Sequence, residues 1–276
     1  MKRLAAALVI CGLAVPAGAV TIDLNRDPLA AIVPNGAGHV YGGVGTVNAT
    51  CTGTPLTRRL VLTAAHCVAG SRSATFSLPL ARRTISRRGT AASFPGYDFS
   101  LEPFEQIAAP DLAVLRLARG LPRRVPTYAL LQSAAMPLGH AFEVVGYGGT
   151  GIGTIGGLWG SESVSVKRFA RNELDRADPS GLFFSADFDG GRLLAPGAPT
   201  GPGSTGLERW NRVGSLGTGI LEGGIFVGDS GGPAFYSAAI AAEVLGESPR
   251  QPAAHADRPL VIGVASFITQ DGFRPY

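Results

Sequence analysis

The sequence predicts a mainly antiparallel β-protein, folded as a barrel or a sandwich. Glycine occurs 39 times and proline 20 times in 276 residues, which favours many turns between short strands over helical bundles. Hydrophobic residues make up 45% of the chain and charged residues 16%, so a large buried core is expected and global disorder is not. The length suits one large domain or two small domains packed together.

The first nineteen residues have the features of a secretory signal peptide. Lys2 and Arg3 form the positive start, an apolar stretch follows as far as Val15, and the small residues 17–19 offer a cleavage site. About twelve apolar residues are too few to span a bilayer, so no membrane anchor is expected. Cleavage after Ala19 removes two positive charges from the formal net charge of +4. The mature protein is therefore expected to be secreted or periplasmic.

Export would also remove Cys11 and leave Cys51 and Cys67 as a single pair. In an oxidising compartment a disulfide is the default state of such a pair. The bond would close a loop of about sixteen residues and contribute about 3 kcal/mol to stability. Two cysteines without a nearby histidine cluster make a poor zinc site, so neither a metal nor another cofactor is expected.

Short apolar runs, separated by turn-forming residues, predict the strands. The runs are residues 60–62, 112–117, 142–145, 163–166, 182–184 and 260–267. Helical patterns occur only at Ala238–Leu245 and Leu101–Ala108. Residues 171–219 and 237–258 are rich in turn-forming or small residues and are predicted to be inserted surface loops.

Charge offers little information about a partner. Arginine doublets occur at residues 58–59, 82–83, 87–88 and 123–124, but they are dispersed and lack interleaved aromatic residues. They predict solvated surface, and no nucleic-acid partner is expected.

Three residues in three separate segments can carry chemistry. His66 directly follows a predicted strand, Asp111 opens another, and Ser230 lies among glycines in the segment Gly228–Pro233. Each one alone has a plain explanation, as a packed histidine, a strand-edge charge or a turn serine. Together they supply the hydroxyl, the base and the orienting anion that acyl transfer needs. Histidine suits the base because its ordinary pKa lies near neutrality.

These segments, in the order His, Asp, Ser, resemble the signature motifs of the trypsin/chymotrypsin-like serine peptidases. Cys51 ahead of His66 resembles the family's disulfide to the cysteine that follows the histidine. Residues 142–148 resemble the strand and turn that open the second barrel, and residues 263–267 resemble the strand that pairs with a bound substrate. The resemblance extends over about residues 40–268.

The resemblance implies two six-stranded antiparallel barrels with the active site between them. The first barrel would span about residues 40–128 and the second about residues 129–276, after an N-terminal segment of residues 20–39. The chain stops ten residues past Ser266, so the family's last strand and terminal helix are expected to be missing or replaced by the two insertions.

The resemblance also assigns the catalytic roles. Ser230 would attack the scissile carbonyl, His66 would transfer the proton, and Asp111 would orient the imidazole. The N–H groups of Gly228 and Ser230 would form the oxyanion hole. The partners implied are polypeptide substrates, and the protein is expected to be a monomer.

The specificity pocket departs from the family pattern. Gly224 stands where trypsin-like enzymes hold an aspartate, Phe226 replaces a cysteine, and Ile268 replaces a glycine beside Ser266 and Phe267. Without a buried carboxylate the pocket is expected to prefer small or medium apolar side chains over lysine and arginine.

A second departure lies at the start of the mature chain. No Ile/Val-Val-Gly-Gly-like stretch is present to supply the freed amine that pairs, in the family, with the aspartate before the nucleophile, here Asp229. Because burying Asp229 unpaired would be costly, another partner is expected.

Other functions remain as alternatives. A secreted homologue that binds partners without cutting is the main rival, supported by the missing N-terminal stretch. The segment around Ser230 also fits the G-x-S-x-G elbow of esterases, which would have to use Asp257 and His255 in an unusual order. Two G-x-G-x-x-G patterns at residues 146–156 lack a following helical pattern and predict a loop rather than a dinucleotide site. The histidines at 39, 140 and 255 are expected to be structural or at the surface.

Overall fold

The computed structural model describes residues 20–22, 26–106, 109–132, 138–152, 156–157, 161–162, 164–177, 182–186, 218–245 and 258–266. Its strands, in chain order, are β1 (Val20–Ile22), β2 (Ile32–Val33), β3 (Gly45–Val47), β4 (Cys51–Pro55), β5 (Leu60–Thr63), β6 (Ser73–Leu80), β7 (Arg83–Ser93), β8 (Ala113–Leu117), β9 (Ala141–Gly146), β10 (Thr150–Ile152), β11 (Gly156–Gly157), β12 (Lys167–Glu173), β13 (Arg176–Ala177), β14 (Phe184–Ser185), β15 (Pro233–Tyr236) and β16 (Leu260–Val264). Within the same ranges the helices are α1 (Ala238–Leu245) and the short 3-10 turns Pro28–Ala31, His66–Val68, Pro103–Glu105 and Gly219–Leu221.

Six strands of the first half close into a barrel in the order β3-β4-β5-β8-β7-β6. Side chains alternate between the interior and solvent, because successive residues of a strand point to opposite faces. In β8, for example, Leu115 and Leu117 are buried and Arg116 is exposed. Thr63 at the end of β5 pairs with Ala113 at the start of β8. The chain segments beyond these two residues therefore leave the barrel at the same end.

The second half contributes a five-stranded sheet in the order β16-β15-β9-β12-β2. Its neighbouring strands are antiparallel, and the edge strand β2 comes from the N-terminal segment. Helix α1 covers β15, since Ala241 is buried in one apolar cluster with Tyr236. The predicted all-β architecture with a six-stranded barrel is confirmed, and so is the helix at Ala238–Leu245.

One apolar cluster joins the two halves. Tyr41 and Tyr128 from the first half flank Phe235 of β15, with ring centroids 5.8 and 4.9 Å from its ring. Val145 of β9 and Val261 of β16 complete this cluster. The two halves therefore share a core, which fixes the cleft between them.

A buried lysine lies beside that cluster. Lys167 of β12 is fully buried, and its Nζ donates to the carbonyls of Tyr41 (2.8 Å) and Val44 (3.1 Å). Burial lowers the pKa of Lys167 to about 7. Nearby, the Glu143 carboxylate accepts hydrogen bonds from the Tyr41 hydroxyl and from Arg171. Polar groups as well as apolar ones thus hold the start of the first half against β12.

Four local features differ from the sequence-based expectations. Val20–Ile22 forms a strand parallel to β10, in the N-terminal segment for which no strand is predicted. The long β6–β7 hairpin is absent from the predicted strands. Strand β12 begins at Lys167, just after the predicted run 163–166. In the predicted helix Leu101–Ala108, the described residues form only the 3-10 turn Pro103–Glu105. Among the described residues, every helix is too short or too polar to cross a membrane.

Candidate active site

The site begins with a hydrogen-bonded histidine and aspartate. His66 opens the 3-10 turn after β5, and its Nδ1 lies 2.6 Å from Oδ2 of Asp111, which stands two residues before β8. The backbone N–H of His66 also donates to Oδ1 of Asp111 at 3.0 Å. The Asp111 side chain is almost fully buried, whereas the imidazole is 30% exposed. Asp111 is thus fixed at the back of the site, and the imidazole reaches the surface of the cleft.

Hydrogen bonds keep the Asp111 carboxylate ionised. Burial alone would raise its pKa, but hydrogen bonds from His66 and from Ser266, with the charge of His66, lower the pKa below its ordinary value. The Ser266 hydroxyl donates to Asp111 Oδ2 at 2.5 Å. Burial and the neighbouring Asp111 charge raise the pKa of Tyr97 well above its ordinary range. An anionic Asp111 favours the tautomer that leaves Nε2 of His66 free to accept a proton.

The loop of Ser230 is docked against the first barrel beside His66. The N–H of Thr52 donates to the Ser230 carbonyl at 2.8 Å, and the Thr52 hydroxyl donates to the Gly228 carbonyl at 3.0 Å. Sγ of Cys67, the residue after His66, lies 3.5 Å from the same Ser230 carbonyl and 3.8 Å from Nε2 of His66. The structure thus brings all three predicted residues to one place. Within the described residues, no hydrogen bond joins the Ser230 hydroxyl to His66.

The backbone N–H groups of this loop divide into two kinds. Those of Asp229, Gly231 and Gly232 donate to carbonyls of the protein. Those of Gly228 and Ser230 make no hydrogen bond with any described residue. Gly228 and Gly231 have φ angles of +94° and +77°, a left-handed conformation that favours glycine. The two unused N–H groups are the pair predicted for an oxyanion hole.

Asp229 is anchored by backbone N–H groups. Its carboxylate accepts from Gly148 at 2.8 Å and from Phe226 at 2.9 Å. A Cβ on Gly146 would lie 1.9 Å from Asp229 Oδ1, so a side chain at that position would displace the carboxylate. Arg168, the strand partner of Gly146, is buried close enough for the Asp229 charge to raise its pKa, although burial lowers that pKa overall. These groups are the partners that the buried Asp229 carboxylate is expected to need.

Gly224, a predicted pocket residue, is hydrogen-bonded to Thr21, a contact that the sequence does not predict. The N–H of Thr21 donates to the Gly224 carbonyl at 3.0 Å, and the Gly224 N–H donates to Oγ1 of Thr21 at 3.0 Å. Ser266, also predicted to bind substrate, uses its hydroxyl on Asp111. The other two predicted pocket residues, Phe267 and Ile268, lie outside the described residues.

The predicted disulfide is present. Cys51 of β4 and Cys67 are bonded, with Cα atoms 6.0 Å apart. One nitrogen of His66 and the two sulfurs lie within 4.8 Å of one another, a spacing that can suggest a metal site. Because the sulfurs share a disulfide, they offer no thiolate to a metal ion.

The remaining histidines and glycine patterns have other surroundings. His39 accepts the N–H of Tyr41, and His140 lies 3.8 Å from the Glu243 carboxylate. His255 and Asp257, the esterase alternative, lie outside the described residues. Of the residues 146–156, the described ones continue into strand β10 rather than into a helix, unlike a dinucleotide-binding turn.

Sequence reasoning missed two residues of the site. Thr52 binds the Ser230 loop, and Thr21 binds Gly224. Thr52 stands next to Cys51 in the motif, which is the one signal that could have found it. Thr21 has no comparable signal, because a contact between residues 203 positions apart depends on the whole fold.

Comparisons with known proteins found one family model and several solved structures that are similar to this chain. The Trypsin family model matches residues 35–162. No curated protein matches the chain. Similar solved structures include a mutant of human heparin binding protein, with 20% identity over 84% of this chain and 81% of that chain and a TM-score of 0.49. A second is an atomic-resolution structure of heparin binding protein, with 20% identity, coverage of 83% and 80%, and a TM-score of 0.48. A third is mouse neuropsin, a serine protease expressed in the limbic system, with 18% identity, coverage of 67% and 71%, and a TM-score of 0.42.

The family match contains His66 and Asp111, and the glycine-flanked Ser230 follows it in the second half of the fold. Residues 35–162 are therefore similar to the trypsin/chymotrypsin-like serine proteases. This similarity supports a hydrolase of the serine protease kind, which acts on polypeptides.

Proposed function

We propose that this protein is an exported serine endopeptidase with His66, Asp111 and Ser230 as its catalytic triad. The observation that carries the proposal is the His66–Asp111 pair, joined at 2.6 Å and facing the docked Ser230 loop. The unused N–H groups of Gly228 and Ser230 support it further, since they suit an oxyanion that develops on the substrate.

In the proposed reaction the Ser230 hydroxyl attacks the scissile carbonyl, and Nε2 of His66 takes its proton. The carbonyl oxygen becomes an oxyanion and accepts hydrogen bonds from Gly228 and Ser230. The amine leaves with the proton from His66, and an acyl group remains on Ser230. Water, deprotonated by His66, then releases the acid product. The Ser230–His66 hydrogen bond would form when substrate fills the cleft, as catalytic hydrogen bonds often tighten in the complex.

Covalent labelling tests this proposal directly. A fluorophosphonate probe should label the secreted protein, and peptide mapping should place the label on Ser230. His66→Ala should abolish the labelling, because the hydroxyl then has no base. His140→Ala is the matched control, since that histidine also lies near a carboxylate but outside the site. A folded wild-type protein that stays unlabelled would instead support the binding-module alternative.

The substrate preference follows from the residue at the predicted pocket floor. Gly224 offers backbone and the Thr21 hydroxyl, but no carboxylate that could pair with a basic side chain. We expect a panel of peptide substrates to be cut after small or medium apolar residues. Strong trypsin-like cleavage after lysine or arginine would contradict this assignment.

Export belongs to the same proposal. The signal-peptide features of residues 1–19 and the disulfide between Cys51 and Cys67 both suit an oxidising compartment. N-terminal sequencing of the secreted form should begin at Val20. Recovery of the protein only from the cytoplasm, with residues 1–19 intact, would contradict export.

A further inference from the structure

The first half of the molecule carries an unusual excess of arginine. Residues 40–128 contain eleven arginines and four acidic residues, and no acidic residue occurs between Asp27 and Asp98. Of the four acids, Asp111 is buried in the site already described. In the sequence the arginine doublets are dispersed, but the fold brings two of them together.

Arg58, Arg59 and Arg119 lie together at the end of the barrel opposite His66. Leu60, the first residue of β5, pairs with Arg116 near the end of β8. The N–H of Leu117 donates to the Arg59 carbonyl at 2.8 Å, and the N–H of Leu121 donates to the Arg58 carbonyl at 2.8 Å. These bonds hold the segment before β5 against the segment after β8.

A cleft of about 580 Å³ lies between the two segments. We call it the arginine cleft; it is lined by Thr57, Arg58, Arg59, Arg119 and Gly120. Nε of Arg58 donates to the Leu121 carbonyl at 2.7 Å, which fixes that side chain to the wall. A Cβ on Gly120 would lie 3.6 Å from Cγ of Arg59, an ordinary packing distance, so Gly120 lies directly beside the Arg59 side chain.

The charges of the cleft are not neutralised by the described part of the protein. Arg58, Arg59 and Arg119 are exposed and form no ion pair with any described residue. Three more exposed arginines flank the cleft along the chain: Arg116 pairs with Leu60, and Arg123 and Arg124 follow Leu121, whose N–H binds the Arg58 carbonyl. Like charges held this close repel one another, and a bound polyanion would relieve the repulsion.

The surface also indicates which kind of polyanion fits. No aromatic side chain lines the cleft, although single-stranded nucleic acids need such side chains for base stacking. In the described residues 57–60 and 116–124, Leu60 is the one large hydrophobic side chain that is exposed, too little to insert into a membrane. Guanidinium forks match sulfate oxygens in pairs, and a flexible polymer can follow a dispersed set of arginines.

We propose that the arginine cleft and its three flanking arginines bind a linear sulfated polysaccharide. Strand β8 separates this surface from Asp111 by about 13 Å, given the usual rise of a strand. A polymer bound at the arginine cleft would therefore leave the His66 side of the cleft between the halves open. The protein would be held on an anionic matrix while its candidate active site still faces solvent.

Binding of fluorescent dextran sulfate, followed by anisotropy at several salt concentrations, tests the proposal. Wild-type protein should bind, with affinity falling as salt rises. Arg59→Ser with Arg119→Ser should weaken binding about tenfold and reduce the salt slope by about two. Arg58 is left intact in this variant because its Nε supports the backbone.

The matched control is Arg82→Ser with Arg83→Ser, which removes the same charge from exposed positions at the turn of the β6–β7 hairpin. Its affinity should stay within about twofold of wild type. Thermal unfolding by circular dichroism should confirm that both variants fold. Equal losses in the two variants, or no binding by wild type, would overturn the proposal. Tighter binding of duplex DNA or of anionic lipid vesicles, compared at equal charge, would overturn the choice of polysaccharide.

Discussion

Thr52 shows how one side chain can connect the two halves at the reacting end of the molecule. It is fully buried, its hydroxyl donates to the Gly228 carbonyl at 3.0 Å, and the same oxygen accepts the Tyr147 N–H at 3.2 Å. Its own N–H holds the Ser230 carbonyl. Gly228 and Ser230 are the residues whose free N–H groups we assign to the oxyanion hole. Thr52 is therefore a positioning residue, acting through the loop that it binds.

Replacing Thr52 by valine should separate this role from simple packing. The valine side chain would keep the volume but leave the Gly228 carbonyl and the Tyr147 N–H buried without their partner. We expect a loss of about 1 to 3 kcal/mol in unfolding free energy and slower fluorophosphonate labelling of Ser230. Thr52→Ser keeps the hydroxyl and should remain close to wild type in both measurements. Labelling of Thr52→Val at the wild-type rate would contradict the positioning role.

Ser266 offers a second test at the level of a single side chain. Asp111 has a lowered pKa, so it contributes stability above about pH 4, and this contribution is lost as the pH falls through the lowered value. Ser266→Ala removes one hydrogen bond to the carboxylate and should raise its pKa. The acid-unfolding midpoint should then move to higher pH. Ser86→Ala, which removes a hydroxyl exposed on the first barrel, should leave the midpoint unchanged.

At the scale of elements, the three-residue strand β1 supports the segment around Gly224. Val20–Ile22 pairs in parallel with Thr150–Ile152, and Thr21 binds Gly224 through both its backbone and its hydroxyl. Gly223 packs so closely on this strand that a Cβ there would lie 2.1 Å from the Thr21 carbonyl. The N-terminal strand thus braces the segment that leads into Phe226 and Asp229.

Thr21→Val tests this bracing. The change keeps the backbone hydrogen bond but removes the hydroxyl that accepts the Gly224 N–H. We expect about 1 kcal/mol less stability and faster hydrogen exchange at Gly224. Thr21→Ser should restore both values. Unchanged exchange at Gly224 in the valine variant would show that β1 does not support the pocket.

The sequence predicts some elements well and others poorly, for physical reasons. Apolar runs locate β5, β8, β9 and β16, because most residues of these strands are apolar and each strand buries at least two side chains. The sequence does not predict the β6–β7 hairpin, because one face of β7 is exposed and the strand contains no apolar run. Its buried residues Ile85 and Gly89 alternate with arginines, serines and threonines. Strand β12 escapes because its buried positions include Lys167, Arg168 and Asn172, which resemble a solvated face in the sequence.

Sequence-based prediction likewise finds some residues of the candidate site and misses others. His66, Asp111 and Ser230 can be found in the sequence because the chemistry restricts both the residue type and its neighbours. Thr21 cannot, because its role depends on contacts that only the complete fold creates. The arginine cleft combines both cases, since its residues are visible in the sequence but their proximity is not.

At the scale of the whole molecule, stability should depend on pH through Lys167. Its pKa is about 7 in the folded protein, against an ordinary value of 10.5. Between these values the unfolded chain binds a proton that the folded chain does not, so stability should rise as the pH increases from about 7 toward 10.5. The lysine holds the carbonyls of Tyr41 and Val44 against β12, and the change therefore concerns the junction of the two halves.

Lys167→Met removes the titrating group and keeps the length of the side chain. In urea unfolding, wild-type protein should gain about 1 to 3 kcal/mol between about pH 7 and about pH 9.5, and the variant should gain much less. Lys2→Met changes a residue that we expect to be removed with the signal peptide, so it serves as the production control. Equal gains in wild type and Lys167→Met would assign the effect to other groups.

The disulfide beside His66 has a practical consequence for anyone preparing this protein. Cys67 follows His66 directly, and its sulfur lies 3.8 Å from the imidazole nitrogen that would handle the proton. Under reducing conditions that sulfur becomes a nucleophilic thiol adjacent to an imidazole, open to alkylating agents and to mixed disulfides with small thiols. Inhibition by iodoacetamide in a preparation from reducing cytoplasm would then report an unformed cross-link rather than a cysteine peptidase.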